Sequence, residues 1–576
     1  MSDNIYEALS KERKKLQKEN LLPKFMTTGG YQLFKSNYQW AETPRQQYEA
    51  IASTLSGYVD GKLPIPEGYF KEKTWNEIFF NILWGGIHSV STPELGNIGA
   101  PYFKGLPVSC SSSYCGDSID QFYDTLKNTA NLTKYGFGTG VYLGDIRPRG
   151  TAIASGGQAS GIEPVVNMFR QMSRDVSQGS QRRGSIASYI PIEHGDFWEI
   201  CQLLDRDPDS LNIGWVITKA FIEKLDNQDE DAIKRYQQVL KNRMVTGKGY
   251  ILKIDTANEL RPECYKANDL FVISSNLCAE ITTTMSEDTD LTCILGSMIL
   301  TQWDKIKDSK YVFASAVLQD CVAEHFLHQA KKFNLPIDRA IKGVENGRAL
   351  GIGQMGFASY LQSKRIPFES FEAHRLNVEI SKHIFDECWE ASRYMAKYLG
   401  EPEWCKGFGI RNTHMTAIAP TKSTATICGG VSESISPDVG MVYTQVTPAG
   451  EINRVNPQLL ELMKERGVFT KEHIAEITNA KGSVQSVTWL TAEEKEVFKT
   501  AFEINQEVVI RLASVRQKYV DQSQSLNLFF SGNDTEEEVS RVHKLALQDP
   551  RIISLYYCYS TREVSASKNT ECVACQ

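Results

Sequence analysis

The sequence predicts an α/β fold, in which helices alternate with short buried strands. Two stretches, 312–334 and 370–399, carry apolar residues at helical spacing, and each is followed closely by a helix breaker, Pro336 or Gly400. Between about 105 and 300, glycine-rich loops separate short apolar runs, a pattern typical of strands joined by turns. With 576 residues, the chain is long enough for one large α/β barrel or for several domains.

The two ends of the chain differ in composition from this central part. Residues 1–30 are polar and basic, which is typical of a helix or a loose arm, and residues 40–90 predict helices anchored by aromatic side chains. Residues 456–550 predict charged helices, and the apolar run at 552–557 predicts a last strand. After Arg562 the residues are small and polar, so we expect a flexible tail.

The composition disfavours several functional classes. The chain is 41% hydrophobic and 23% charged, and its net charge of −7 does not favour binding to a nucleic acid polymer. No apolar run approaches the ~20 residues needed to cross a bilayer, and the start lacks the pattern of a signal peptide. We therefore expect a cytoplasmic protein without membrane contact, whose 13 cysteines are thiols rather than stable disulfides.

The most informative motif is S-N-L-C-A-E at 275–280. If this segment is a strand, the alternation of side chains places Asn276, Cys278 and Glu280 on one face. A row of an amide, a thiol and a carboxylate suits covalent or radical sulfur chemistry, because the carboxylate can accept a proton beside the reacting thiol. We therefore expect this row to form one wall of an active site.

Four further cysteines are candidates for redox chemistry. Cys572 and Cys575 end the tail at Cys-x-x-Cys spacing, which favours a thiol shuttle that exchanges with a disulfide elsewhere; a zinc site and an inert tail are the alternatives. A structural zinc site needs four ligands, and no second cysteine pair lies nearby in the sequence. Cys110 and Cys293 can each be interpreted as a buried core residue or as a catalytic thiol.

Hydroxyl-rich and aromatic motifs add weaker signals. In A-P-T-K-S-T-A-T at 419–426, hydroxyls, one lysine and backbone amides precede a helix, which makes a natural phosphate cradle or, alternatively, a plain Ser/Thr turn. The Gly-x-Gly runs at 136–140 and 351–353 lack the full dinucleotide-binding spacing. Tyr556 and Tyr557 would point to opposite faces of a flat strand, where tyrosines normally pack, although a radical enzyme could use them to relay an electron and a proton.

Together and in this order, these motifs resemble the large, catalytic subunit of ribonucleotide reductase. The resemblance runs from about residue 75 to the carboxyl end. It rests on these stretches: S-C at 109–110, C-G-D-S at 115–118, S-Q-G at 177–179, N-L-C-A-E at 276–280, R-A-L-G-I-G-Q-M-G-F at 348–357, A-P-T at 419–421 and the closing cysteine pair. The resemblance implies a ten-stranded α/β barrel with a central finger loop at 76–562, a helical region at 1–75 and a redox-active tail at 563–576.

The same resemblance implies a role for each residue of the motif. Cys278 looks like the thiyl radical site that removes the ribose 3′ hydrogen, Glu280 like the base for the 3′ hydroxyl, and Asn276 like its hydrogen-bonding partner. Cys110 and Cys293 match the pair that reduces the 2′ carbon and becomes a disulfide.

Three further groups of residues acquire roles in this way. Cys572 and Cys575 resemble the tail pair that reduces this disulfide and is itself reduced again by thioredoxin or glutaredoxin. Tyr556 and Tyr557 match the tyrosine pair for radical transfer. The implied substrate-binding residues are Thr92, Ser109, Thr421, Lys422, Ser423 and Thr424, of which Lys422 stands in a loop that varies within the family.

Regulation by nucleotides is implied as well. Asp117, Ser118 and Arg147 resemble the site for the effectors dATP/ATP, dTTP and dGTP, and the helix near 120–135 would lie at a homodimer interface. Ser177, Gln178 and Arg182 belong to a loop similar to the one that relays effector identity, with two arginines, Arg182 and Arg183, where the family has one. We find no match to the N-terminal ATP-cone, so we expect no overall inhibition by dATP through such a domain.

The radical source divides this family into classes. The tyrosine pair favours class I, in which a separate, metal-containing small (beta) subunit supplies the radical and the large subunit binds no metal or organic cofactor directly. The alternative is class II, which uses adenosylcobalamin. A glycyl-radical enzyme is disfavoured because no glycyl motif lies near the carboxyl end. A catalytically inactive nucleotide-binding homologue and a plain thiol oxidoreductase are alternatives from other classes, but neither explains the Asn-x-Cys-x-Glu row.

Overall fold

A computed structural model describes residues 3–154, 156–176, 184–208, 211–447 and 450–561. Three short 3-10 helices, Leu300–Gln302, Glu403–Cys405 and Gln517–Tyr519, accompany the α-helices of this part. The α-helices are α1 Asp3–Lys18, α2 Thr28–Asn37, α3 Pro44–Ser56, α4 Trp75–Trp84, α5 Thr92–Asn97, α6 Ile119–Lys134, α7 Glu163–Asp175, α8 Phe197–Arg206, α9 Lys219–Asp226, α10 Glu230–Thr246, α11 Ile254–Leu260, α12 Glu263–Ala267, α13 Trp303–Ile306, α14 Tyr311–Lys332, α15 Asp338–Gly347, α16 Phe357–Ser363, α17 Phe371–Leu399, α18 Lys422–Ile427, α19 Pro457–Glu465, α20 Lys471–Asn479, α21 Ala492–Val497, α22 Gln506–Arg516 and α23 Glu536–Gln548.

The strands of the described residues are short. They are β1 His88–Val90, β2 Cys110–Tyr114, β3 Gly138–Tyr142, β4 Ala152–Ile153, β5 Gly157–Gln158, β6 Ile186–Pro191, β7 Asn212–Ile217, β8 Tyr250–Lys253, β9 Leu291–Thr292, β10 Leu295–Ile299, β11 Gly351–Met355, β12 Val442–Thr447, β13 Gly450–Val455, β14 Leu528–Phe530, β15 Ser554–Leu555 and β16 Cys558–Ser560.

Five parallel strands form one half of the barrel. The order β2-β3-β6-β7-β8 is parallel throughout, and helices α6 to α10 lie in the connections between successive strands, as parallel pairing requires. An antiparallel strand flanks each side of this half, β9 beside β2 and β15 beside β8, which completes a seven-stranded sheet.

The other half closes this sheet into a ring. Strand β10 follows β9 after two residues and pairs in parallel with β11. From β11, backbone hydrogen bonds lead to residues 415–418, then to residues 523–526, and from Leu526 to Tyr556 beside β15. Counting β9 and β10 as one interrupted strand, the seven sheet strands, β11 and these two segments make a ring of ten members, which confirms the predicted α/β barrel.

The strands divide their side chains between the outside and the inside of the ring. On β6, Ile186 and Ile190 belong to the large hydrophobic cluster shared with the surrounding helices, whereas Ala187 and Tyr189 belong to a second cluster that also contains residues of β7, β8 and β10. This alternation is the period-two pattern of a strand with both faces buried. The second cluster is therefore the interior of the barrel.

The N-terminal helices pack on the same core as the barrel. Residues of α2, α3 and α4 share the large cluster with α14, and α2 lies against α18. Gly30 allows this close approach, because a side chain there would place Cβ 2.6 Å from the carbonyl oxygen of Thr426. A separate small cluster joins the β12–β13 hairpin to α19, α20 and α21.

Several predicted elements are confirmed. The periodic stretches at 312–334 and 370–399 are α14 and α17, and α17 ends at Gly400, whose φ of 84° favours glycine. The expected strand at 552–557 is instead two short strands, β15 and β16, with Tyr556 and Tyr557 between them. No helix in the described ranges is long and apolar enough to cross a membrane.

Candidate active site

A segment without helix or strand, residues 270–290, runs through the interior of the barrel, and its residues 274–285 are all buried. On one side the hydroxyl of Tyr189, on β6, donates to the carbonyl oxygen of Asn276 at 2.6 Å. On the other side the backbone N–H of Ser523 donates to the carbonyl oxygen of Glu280 at 2.8 Å. Because both halves of the ring hold it, this segment occupies the position of the predicted finger loop.

The expected strand at 275–280 is wrong. The segment turns: the N–H of Ala279 bonds to the carbonyl oxygen of Asn276 at 3.2 Å, and Ala279 has a left-handed φ of 63°. The Asn276 side chain stabilises the turn, because its Oδ1 accepts from the N–H groups of Glu280 and Ile281 at 3.1 and 3.2 Å. Asparagine side chains often compete with a strand ladder in this way.

The turn still places the motif residues in one buried place. Asn276, Cys278 and Glu280 are all buried. Ser525 links the last two, since its hydroxyl lies 2.7 Å from the carbonyl oxygen of Cys278 and 3.1 Å from Oε2 of Glu280. The Nδ2 of Asn276 has no hydrogen-bond partner among the described residues, which leaves one buried donor at the loop tip.

Cys110 and Cys293 are neighbours. Cys110 is the first residue of β2, and Cys293 follows β9, the antiparallel partner of β2. The N–H of Cys293 donates to the carbonyl oxygen of Cys110 at 3.0 Å. Both belong to the same interior cluster as Cys278. The spacing of the two cysteines did not predict this proximity, which the family resemblance implied and the β2–β9 pairing creates.

The tyrosine pair also faces this interior. Tyr556 and Tyr557 lie in the cluster that contains Cys278, and their ring centroids are 4.2 Å apart. The expectation that they point to opposite faces is wrong, because they fall in the break between β15 and β16 rather than in a flat strand. Tyr250 on β8 packs beside both rings, with centroids at 4.7 and 5.4 Å.

The hydroxyl-rich turn at 421–424 is buried and strained. Thr421 has a left-handed φ of 56° immediately before α18, and its Oγ1 accepts from the N–H of Ser434 at 2.8 Å. Ser423 and Thr424 are buried and Lys422 is half-buried. This turn is held in one conformation by contacts that its sequence does not reveal.

The Thr92 segment lies beside α18. Ser89 and Val90, just before Thr92, line a small cavity together with Thr424 and Cys428, and the Cys428 thiol donates to the Ser89 hydroxyl at 3.4 Å. Thr92 itself is buried at the start of α5. The structure therefore brings two of the predicted phosphate-binding segments together.

A buried carboxyl group lies two residues after Thr92. Glu94 accepts from the Ser91 hydroxyl at 2.9 Å and from Nε2 of Gln319 at 3.1 Å, both of which are uncharged donors. Burial raises the pKa of Glu94 to about 8. Burial likewise lowers the pKa of His88, which lies 3.0 Å from the same Gln319 nitrogen, to about 3. Both groups are therefore neutral near pH 7.

Ser109 stands directly before Cys110 and β2. It is buried, and its hydroxyl has no hydrogen-bond partner within the described part of the chain. This hydroxyl is thus a second buried polar group, after Nδ2 of Asn276, that a bound ligand could satisfy.

The predicted effector residues form a partly exposed group just beyond the carboxyl ends of β2 and β3. Asp117 and Arg147 form an ion pair, and Ser118 caps α6 by accepting from the N–H of Gln121 at 3.2 Å. The other predicted regulatory residues, Ser177, Gln178 and Arg182, lie outside the described residues, as do Cys572 and Cys575 of the tail. Their placement stays a prediction.

Sequence reasoning missed two residues that hold the loop, Ser525 and Tyr189. Neither stands in a motif, and Ser525 belongs to a polar run, 522–525, that reads as a surface turn although all four residues are buried. Only the contacts of the folded chain reveal their role. Within the described ranges, no group of three or more His, Cys, Asp and Glu side chains could hold a metal ion.

The fold and the site together define a barrel enzyme with a thiol on an internal loop and a neighbouring thiol pair. A family model described as "Ribonucleotide reductase, barrel domain" matches residues 108–234, 227–407 and 402–550. This match covers well over half of the sequence, so the chain belongs to the ribonucleotide reductase family.

Individual relatives agree with this family. A Frog virus 3 protein, provisionally named a ribonucleoside-diphosphate reductase large subunit, is 32% identical over 522 residues, which cover 85% of this chain and 90% of that protein. The solved alpha subunit of the Actinobacillus ureae class Id ribonucleotide reductase superposes with a TM-score of 0.84 at 33% identity, over 94% of this chain and 99% of that one. A vitamin B12-dependent ribonucleoside-diphosphate reductase from Thermoplasma acidophilum is 28% identical over 79% of this chain and 61% of its own length.

Proposed function

We propose that this chain is the catalytic subunit of a class I ribonucleoside-diphosphate reductase, which converts ribonucleotides to 2′-deoxyribonucleotides for DNA synthesis. One observation carries the proposal: inside one closed barrel, Cys278 on the internal loop shares a buried cluster with the Cys110–Cys293 pair and with Tyr556 and Tyr557. A packing role would not require three thiols and two phenols to converge on one interior.

The thiols and the carboxylate divide the reaction between them. A thiyl radical at Cys278 takes the 3′ hydrogen of the ribose, and Glu280 accepts the proton of the 3′ hydroxyl as general base. The 2′ hydroxyl then leaves as water. Cys110 and Cys293 together supply two electrons and two protons and become a disulfide, so the C2′–OH bond is replaced by C2′–H. Glu280 finally returns its proton to the 3′ oxygen, and Cys278 returns the 3′ hydrogen and recovers its radical.

Asn276 acts in two ways in this scheme. Its Oδ1 is engaged by the backbone of Glu280 and Ile281, so it fixes the shape of the loop tip. Its Nδ2 is buried without a partner in the described residues, so we assign it as a donor to a ribose hydroxyl. The Asn276 amide therefore has two roles: its oxygen stabilises the loop, and its nitrogen binds the substrate.

The class I assignment rests on the tyrosine pair. The radical comes from a metal-containing small subunit, and Tyr556 and Tyr557, with rings 4.2 Å apart, pass an electron and a proton between that subunit and Cys278. One relative is named a vitamin B12-dependent reductase, so adenosylcobalamin is the alternative radical source for this chain. The assay below separates the two.

Substrate and effector sites follow from the same family pattern. In this proposal the diphosphate-binding residues are Thr92, Ser109, Thr421, Lys422, Ser423 and Thr424. Asp117, Ser118 and Arg147 hold the nucleoside triphosphate effector, together with the loop of Ser177, Gln178 and Arg182.

Two kinds of protein contact complete the proposal. Helix α6 exposes two large apolar side chains, Ile119 and Tyr123, which favours a homodimer contact on this helix. The tail cysteines, Cys572 and Cys575, reduce the Cys110–Cys293 disulfide by thiol exchange and are renewed by thioredoxin or glutaredoxin.

The decisive experiment measures deoxynucleotide formation from a nucleoside diphosphate with a dithiol reductant. We expect turnover with a class I small subunit and effector, and none with adenosylcobalamin alone. Cys278→Ser should remove turnover while effector binding persists. Activity with adenosylcobalamin alone would overturn the class I assignment, and unchanged activity of Cys278→Ser would overturn the thiyl mechanism.

A further inference from the structure

A third tyrosine continues the row formed by Tyr556 and Tyr557. Tyr559 stands on β16, and its ring centroid is 5.6 Å from that of Tyr557. The three phenols therefore form a sequence of neighbouring rings with centroid separations of 4.2 and 5.6 Å. The sequence alone does not mark Tyr559, because its position two residues after Tyr557 belongs to no motif.

The three rings differ in their exposure to solvent. Tyr556 and Tyr557 are buried within the barrel cluster, whereas Tyr559 is half-buried and packs against the rim of that cluster. Tyr559 is therefore the member of the row nearest the protein surface. The surface around Tyr559 is therefore the side from which a partner protein can reach this row of rings.

Tyr559 is held in a fixed place. Strand β16 pairs in parallel with β14, and Tyr559 lies opposite Phe529 in this register. The two rings stack with centroids 5.0 Å apart and an interplanar angle of 12°. Because the Phe529 stack fixes the ring, the phenol hydroxyl can be removed by a Tyr-to-Phe change with the packing largely retained.

We propose that Tyr559 is a third radical-transfer residue, placed between Tyr557 and the docking surface of the small subunit. This inference rests on the class I function proposed above. Tyr559 gives one electron and one proton to the oxidised centre of the small subunit, and regains them from Tyr557. Tyr557 regains them from Tyr556, and Tyr556 from the Cys278 thiol, which becomes the thiyl radical. One hydrogen-atom equivalent thus leaves Cys278 and returns by the same row after turnover.

The test is Tyr559→Phe in the complete enzyme with small subunit, effector and nucleoside diphosphate. We expect kcat to fall by at least about 100-fold with KM unchanged, because phenylalanine keeps the ring contacts but cannot give up a phenolic hydrogen. Tyr519→Phe is the matched control, since Tyr519 is also half-buried and packs on a phenylalanine, Phe385, but lies outside the row. We expect its kcat to equal that of the unmodified enzyme.

A spectroscopic readout separates radical transfer from packing. With 3-aminotyrosine in place of Tyr559, mixing with small subunit, substrate and effector should give an aminotyrosyl radical signal by electron paramagnetic resonance, and the same residue at 519 should give none. Full turnover of Tyr559→Phe, together with loss of turnover in Tyr556→Phe and Tyr557→Phe, would overturn the role of Tyr559 and leave the class I function intact. Full turnover of all three variants would instead overturn the class I function, and the inference with it.

Discussion

Ser525 offers the sharpest test of how the barrel positions the internal loop. Its buried hydroxyl approaches two acceptors, the carbonyl oxygen of Cys278 at 2.7 Å and Oε2 of Glu280 at 3.1 Å. The change Ser525→Ala removes this donor from both and adds no bulk. Ser523→Ala is a matched control on the same segment, because Ser523 is equally buried but its hydroxyl contacts Ser554 at 2.8 Å rather than the loop.

The size of the effect follows from the hydrogen bonds lost. A hydrogen bond to a charged group contributes about 1.5–3 kcal/mol, and a buried acceptor left without a donor costs a similar amount. If the whole contribution is lost from the transition state, kcat falls by about 10–100-fold, since each 1.36 kcal/mol corresponds to a factor of ten. The KM should change little, because Ser525 contacts the loop and not the proposed diphosphate site.

The assay compares kcat, KM and the free energy of unfolding in urea for both variants. We expect both to lose about 1–3 kcal/mol of stability, but only Ser525→Ala to lose kcat. The reasoning is refuted if Ser525→Ala turns over at the unmodified rate, or if Ser523→Ala loses as much kcat as Ser525→Ala.

Three further changes test the fold around the site. Burial raises the pKa of Glu94 from 4.5 to about 8, so the folded chain holds a proton that the unfolded chain releases, and stability should fall as pH rises from 4.5 to 8. The free energy of unfolding in urea should therefore fall with pH by up to about 1.4 kcal/mol per pH unit, and Glu94→Gln should remove this dependence. Equal pH dependence in the variant and the unmodified protein would contradict the prediction. A Cβ on Gly353 would lie 2.5 Å from a carbonyl oxygen of the neighbouring segment, so Gly353→Ala should lower the free energy of unfolding by about 1–3 kcal/mol. Gly57→Ala is the control, because a Cβ there has its nearest contact at 3.5 Å and should change that free energy little. Arg348→Met removes one partner of the buried Asp320, 2.9 Å away, and should cost about 3–5 kcal/mol by the same measurement; a loss below 1 kcal/mol would show that the pair is not buried in solution.

The sequence by itself determined the fold class, the long helices and the family. Helix α17 and its end at Gly400 follow from apolar periodicity and from the conformational freedom of glycine, both of which are local properties. The order of the short motifs along the chain identified the family, because motifs and their order can be read from the sequence without knowing the fold. The closed ring was predicted through that resemblance and is confirmed.

The tertiary structure decided the geometry at the site. Alternation predicted a strand at 275–280, but this segment has no partner strand, and the Asn276 amide bonds to its own backbone instead. The pairing of β2 with β9 makes Cys110 and Cys293 neighbours across more than 180 residues of sequence. The contacts of Ser525 and the row from Tyr556 to Tyr559 likewise join residues through the closure of the barrel. Local patterns cannot predict such contacts, because they depend on which distant backbones hydrogen-bond to one another and not on the residues that flank them.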